Sequence, residues 1–231
     1  MQDISIRKLF KLKSHFGHFN LTKNSKFSKY IHTTIKNVNI IDTFQTKKCF
    51  FKALKFIKTL LKGNKSDILF VDTKKQSKRI TESECEKLKL PYVVNRWLGG
   101  TLTNFKNIRD NIKRLSYLIY LEEKKAFFSK NKKTKVILKK KIINLERKFK
   151  GIFNLKKLPS ALFVVDTTKN KKAVVEANKL SIPVIGVVDT DGNPELIDYP
   201  IPSNDDSVEL VKYFISMVTD NIKYFSKVNG S

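Results

Sequence analysis

Cysteine is scarce in this chain: Cys49 and Cys85 are the only two among 231 residues. Two thiols cannot build a disulfide framework, so a reducing compartment and buried apolar thiols are expected. No apolar run reaches the roughly 18 residues that a membrane-crossing helix needs. The opening MQDISIRKLFKLKSHFGH is broken by charge throughout; it lacks a secretory apolar core and only faintly resembles an amphipathic transit segment. Glycine is rare too, with eight residues. None falls in a G-x-G-x-x-G or G-x-x-x-x-G-K-[ST] string after a strand, so a glycine-loop nucleotide cradle has no support. No Ser/His/Asp or Cys/His arrangement is readable. Acidic residues are the last shortage: 21 against 47 basic ones leave a formal charge of +26.

What is present is lysine, unevenly spread. Residues 1–104 carry 22 basic and 7 acidic side chains, a net +15. Residues 105–158 carry 18 and 4, a net +14, whereas residues 159–231 carry 7 and 10, a net −3. The choice of lysine over arginine, 41 to 6, fits an AT-rich genome, but such drift would not leave the last third acidic. The first two segments are therefore the expected polyanion-facing surface, with nucleic acid ahead of an anionic membrane.

Short apolar runs rich in Val, Ile and Phe recur at residues 38–41, 68–71, 91–94, 162–165 and 184–188. Nearly unbroken by polar residues, they read as strands buried on both faces. Helical patterns occupy residues 44–61, 76–88, 171–180 and 205–225. The alternation predicts an α/β fold with a mainly parallel sheet and helices on both sides. It fails between residues 103 and 151. There Phe105, Ile108, Ile112, Leu115 and Ile119 recur at 3, 4, 3, 4, and after the polar stretch 129–135 Leu138, Ile142, Leu145, Phe149 and Ile152 recur at 4, 3, 4, 3. These are seams of an inserted antiparallel coiled-coil hairpin, each arm about 30 Å long. The parts are thus 1–104, the first section of the α/β body; 105–157, the basic hairpin; and 158–231, the rest of the body.

Three strings carry possible chemistry. Asn95-Arg96-Trp97-Leu98-Gly99-Gly100-Thr101-Leu102-Thr103-Asn104 holds the single tryptophan and a glycine pair. Its glycines suit a positive φ or a close backbone approach. Arg96 can fork onto a phosphate, and Thr101 and Asn104 offer short polar groups. A plain turn with Trp97 plugging the core and Thr103 capping the next helix is the simpler alternative, compatible with the first. His15-Phe16-Gly17-His18 has two histidines, but Gly17 interrupts a shared helix face and no acidic or cysteine cluster is near. No metal is expected; the histidines would contact phosphate or cap backbone, with Phe16 in the core. Lys23, Lys26 and Lys29 follow in a loop suited to phosphate contact. Finally, Asp189-Thr190-Asp191-Gly192-Asn193 follows a buried strand like the nucleophile of an aspartate phosphotransferase, or like a calcium loop with its glycine misplaced. Too little chain follows for the phosphotransferase, so turn and capping roles suit Asp189 and Asp191 better.

These residues together resemble the bacterial-type small-subunit ribosomal protein two family over nearly the whole chain. The blocks are His15-Phe16-Gly17-His18, Val38-Asn39-Ile40-Ile41-Asp42, Ile68-Leu69-Phe70-Val71, Arg96 to Asn104 and Leu158-Pro159-Ser160-Ala161-Leu162-Phe163-Val164-Val165-Asp166. Glu176-Ala177, Ile182-Pro183, Val188-Asp189-Thr190, Ile201-Pro202 and Asn204-Asp205-Asp206 follow in order. The resemblance implies a Rossmann-like (flavodoxin-like) body with a coiled-coil insertion and a non-enzymatic place on the solvent side of the small subunit, bridging its head and body RNA. It implies small-subunit ribosomal RNA and neighbouring proteins as partners, the first small-subunit protein among the candidates, with no cofactor and no membrane. The compartment is the cytoplasm of an AT-rich reduced bacterium or an organelle (mitochondrial matrix or plastid stroma). Expected RNA-contacting or RNA-shaping residues are His15, His18, Lys23, Lys26, Lys29, Arg96, Gly99, Gly100, Thr101, Asn104, Lys106, Arg109, Lys113 and Arg114, and Asp189 and Asp205 would face a protein or a cation. Departures from the family pattern are Lys23-Asn24-Ser25 for Trp-Asn-Pro, Lys29 for a proline, Ser181 for a glycine and a tail without an acidic extension.

Overall fold

Residues 4–63, 67–124 and 132–229 are described in the computed structural model of the chain. A short helix α1 (Ile6–Lys11) precedes β1 (Phe16–Phe19), β2 (Ile31–Ile35) and β3 (Val38–Ile41). These strands form a small antiparallel sheet in the order β1-β3-β2. β2 turns into β3 through Lys36 and Asn37, at φ 46° and 62°, a two-residue hairpin turn whose twist matches its strands. The parallel placement expected for residues 38–41 is therefore corrected: they are the centre of an antiparallel sheet. The turn was hidden because Lys-Asn stands where Asn-Gly or Gly-Gly usually signals it.

Next comes α2 (Thr43–Lys62), whose first amides at Phe44 and Gln45 donate to the Asp42 carboxylate at 2.9 and 3.4 Å, an N-cap. It is followed by β4 (Ile68–Val71), α3 (Lys78–Leu88), β5 (Tyr92–Val93), α4 (Phe105–Glu123) and α5 (Lys132–Phe149). The chain closes with β6 (Ala161–Val164), α6 (Lys171–Lys179), β7 (Val184–Val188), β8 (Tyr199–Pro202) and α7 (Val208–Asn229). The last five strands make a parallel sheet in the order β5-β4-β6-β7-β8, with helices on both faces. This is the Rossmann-like α/β class. β8 takes the edge place; its Tyr-Pro-Ile-Pro sequence conceals a strand because proline fits only at an edge.

Every residue of β4, β6 and β7 is buried, and alternate side chains serve opposite cores. Phe70, Phe163 and Ile185 meet Leu9, Ile57, Cys85 and Phe214 from α1, α2, α3 and α7. Leu69, Leu162 and Val184 meet Ile112, Phe149 and Ala177 from α4, α5 and α6. Each such large side chain contributes about 1.5–3 kcal/mol by leaving water.

α4 and α5 fill the interval between β5 and β6 and pack on each other, burying Ile108, Ile112, Leu115, Ile142 and Phe149. Residues 125–131, which include part of the expected polar turn 129–135, lie outside the described residues. The base of the pair is fastened to the body. Asn95 Nδ2 donates to the Arg147 carbonyl at 2.7 Å, and Arg109 donates to the carbonyls of Phe153 and Leu155 at 3.1 and 2.9 Å. Lys150 reaches Glu82 and Glu86 at 3.0 and 2.8 Å. None of the described helices is long and apolar enough to cross a membrane.

Candidate RNA-binding surface

The loop after β5 is organised by one carboxylate. Glu176, on α6, accepts from Trp97 Nε1 at 3.0 Å and Gly100 N at 2.8 Å through Oε1. Its Oε2 accepts from Leu102 N at 3.0 Å and from Thr103 N and Oγ1, both at 3.3 Å. Burial opposes ionisation of Glu176, but these donors outweigh it and hold the carboxyl below its ordinary range. Trp97 is buried in the core as expected. Gly100 sits at φ +87°, where any other residue would be strained.

The clamp fixes what the loop presents. Arg96 and Gly99 are exposed at its rim, and nothing lies within 4 Å of a side chain placed at Gly99. Thr101 is buried, its hydroxyl donating to the Leu98 carbonyl at 2.6 Å, so it braces the turn. Asn104, not Thr103, holds the N-cap position of α4, without a side-chain cap bond; the Thr103 hydroxyl is spent on Glu176. Along α4, Lys106, Lys113 and Arg114 are exposed, with Lys113 near Asp110 at 3.3 Å. Arg109 is turned inward to the two carbonyls at the base of α5.

The N-terminal block packs against the end of β7. His18 N donates to Thr190 Oγ1 and Asn24 N to the Thr190 carbonyl, both at 2.8 Å. A side chain at Gly17 would overlap Thr190 Cγ2, which explains a glycine between the histidines. The His18 Nδ1–Asp189 Oδ1 separation of 3.3 Å is that of an ion pair rather than an aligned hydrogen bond. Contact with Asp189 raises the His18 pKa to about 9 against the opposing effect of burial. Burial lowers the pKa of His15, whose ring packs between Phe10 and Phe16 at 4.8 and 4.3 Å. The core position expected for Phe16 is corrected: the residue is 44 % exposed, on the edge strand β1. Lys26 pairs with Glu195 at 2.7 Å, and Lys29 lies over the Tyr30 ring; Lys23 is half-buried nearby.

Ribosomal protein S2 is the family whose model matches residues 9–224. The chain belongs to the ribosomal protein S2 family. It is 38% identical over 209 residues to the small ribosomal subunit protein uS2 of Cytophaga hutchinsonii, covering 90% of this chain and 82% of that protein. The ribosomal protein S2 family is a structural, non-enzymatic kind of ribosomal protein, and this member is a structural constituent of the small subunit.

This S2-family chain has a second charged centre, around Lys74. Lys74 Nζ lies 2.6 Å from Asp205, 2.8 Å from Asp206 and 3.5 Å from Asp166. Burial disfavours its charge, but the three carboxylates prevail and hold it protonated. Asp189 Oδ2 accepts from Asp205 N at 3.3 Å, and its other oxygen accepts from Thr190 N. The cations that Asp189 and Asp205 face are thus the chain's own His18 and Lys74, and Asp189 also takes the capping role expected of it. Among the described residues no group of three or more His, Cys, Asp or Glu is arranged to hold a metal. Lys74 left no signal in the sequence, because its partners are more than 90 positions away.

Proposed function

We propose that this chain is a ribosomal RNA-binding scaffold whose basic faces dock phosphate and shape, supporting small-subunit assembly and translation without catalysing a reaction. The observation that carries this reading is the exposed, unevenly placed charge. Arg96 projects from a loop locked by Glu176, and Lys106, Lys113 and Arg114 line α4 beside it. A rigid element presenting exposed cations to a polyanion gains affinity by releasing counterions. The reading divides the chain into a body of residues 1–104 and 158–231 and an inserted coiled-coil arm, residues 105–157, laid along RNA. The net −3 of residues 159–231 suits contacts with neighbouring proteins, the first small-subunit protein among them. His15, His18, Gly99, Gly100, Thr101, Asn104 and Arg109 would shape the surface, and Lys23, Lys26, Lys29, Arg96, Lys106, Lys113 and Arg114 would touch phosphate. The ribosome is that of an AT-rich reduced bacterium or of an organelle; lysine bias fits both.

The test is binding of the full chain to small-subunit RNA over a salt series, with sedimentation alongside small subunits. A steep fall of log affinity with log salt is expected, on the order of −0.9 per phosphate neutralised. A flat dependence, or a chain that stays at the top of the gradient, would overturn the reading.

A further inference from the structure

The parallel sheet changes winding direction between β4 and β6. From β4 the chain crosses through α3 to β5 on one side, and from β6 it crosses through α6 to β7 on the other. Ligands of open α/β sheets settle outside the strand C-termini at such a point. A cavity of about 820 Å³ opens here, within the range of small-molecule sites. Thr73 after β4, the Asn95–Trp97 stretch after β5 and the start of α6 after β6 line it. The Thr73 hydroxyl donates to Asn170 Oδ1 at 3.0 Å, tying the two strand ends together.

The charge of the lining is one-sided. Arg96, Lys169, Lys171 and Lys172 are exposed around the mouth. Glu176 is the one carboxylate among the lining residues, and both its oxygens are committed to the Trp97 loop. Asn170 holds the N-cap position of α6 without capping it; its amide instead donates to the carbonyls of Val165 and Asp166 at 2.9 and 3.1 Å. The positive end of the helix therefore adds to the lysines. Trp97 and Val175 supply apolar wall. The space exceeds a bare phosphate and offers a planar, apolar group a place beside the cations.

We infer that this cavity binds a nucleotide, with its phosphate against Arg96, Lys171 and Lys172 and its base toward Trp97 and Val175. No glycine loop takes part: side-chain cations do the work that such a loop does elsewhere. The nucleotide is either free or unstacked from a bound RNA strand, and the chemistry recognised is the same. The site goes beyond the scaffold reading, since a scaffold needs no occupied cleft.

Trp97 is the chain's single tryptophan, so its fluorescence reports on the cavity directly. The full-length chain is titrated with adenosine monophosphate, with a short single-stranded oligoribonucleotide and with inorganic phosphate, at constant ionic strength. Two charge-matched variants are compared: Lys171→Glu with Lys172→Glu at the rim, and Lys212→Glu with Lys223→Glu on exposed positions of α7. A saturable response to the mononucleotide that the rim pair weakens about tenfold or more, while the α7 pair leaves it intact, is expected for a free-nucleotide site. The same pattern with the oligonucleotide alone assigns the site to an unstacked RNA residue. No saturable response beyond that of inorganic phosphate, or equal loss in both variants, overturns the inference. Sedimentation of the rim variant with small-subunit RNA is scored separately, so the scaffold reading can stand when the cavity proposal falls.

Discussion

The indole N–H of Trp97 lies 3.0 Å from a carboxylate 79 positions later in the chain, that of Glu176. This contact joins the loop after β5 to α6 across the boundary between β4 and β6, and it aims Arg96 outward. Replacing Glu176 by glutamine removes the charge and turns an amide donor against donors already present. The expected cost is about 2–3 kcal/mol of stability, read by urea unfolding with Trp97 fluorescence. Because the folded carboxyl sits below its ordinary range, its contribution is complete above about pH 4.3 and is lost as pH falls through the depressed value. The wild-type loop should loosen on acidification, and the glutamine variant should show no such step.

Arg96 and Arg109 should separate cleanly. Arg96→Ala is expected to lower the salt slope of RNA binding by about one unit at unchanged stability. Arg109→Ala leaves the carbonyls of Phe153 and Leu155 without their donor, so it should cost about 1–3 kcal/mol of stability and leave the slope nearly unaltered. Equal salt slopes and equal unfolding midpoints for the two variants would remove the distinction drawn from their contacts.

His18 sets a pH dependence of the opposite sign. Its folded pKa of about 9 lies above the ordinary value near 6.5. Its ion pair with Asp189 therefore contributes fully below about pH 6.5 and is lost as pH rises through about 9. Protection factors at the Thr190 and Asn24 amides, with the base-catalysed rise of intrinsic exchange divided out, should fall over that range, and His18→Gln should flatten their pH profile.

Ser181 sits at φ 53°, the left-handed region that costs a side-chain-bearing residue roughly 1–2 kcal/mol. Ser181→Gly should relieve that strain, offset in part by the freedom glycine has when unfolded. A net gain of about 0.5–1 kcal/mol is expected, a rise of roughly 2–4 °C in melting temperature for each full kcal/mol in a chain of this size.

The legible parts of this fold are those whose causes are local in sequence. Four of the five parallel strands and the two helical seams follow from runs and spacings of apolar residues. The departures have equally local reasons: Lys36-Asn37 makes a hairpin turn without glycine, and β8 is a strand with two prolines. The site divides differently. The Trp97 loop, its glycines and Arg96 are visible in the sequence, because a lone tryptophan beside paired glycines is rare in so lysine-rich a chain. That Glu176 would clamp them, or that Lys169, Lys171 and Lys172 would face the same cavity, depends on how α6 returns across the sheet. Periodicity along one helix carries no such information.

β8 ends the parallel sheet with Pro200 and Pro202. The Ser203 amide donates inward to the Val188 carbonyl, so the alternation of a strand turns positions 200 and 202 outward. Proline nitrogens at both places remove the donors a stray strand would need, and the Pro202 carbonyl already accepts from the Thr46 hydroxyl at 2.6 Å. This end of the sheet is therefore closed to strand addition by a second copy of the chain.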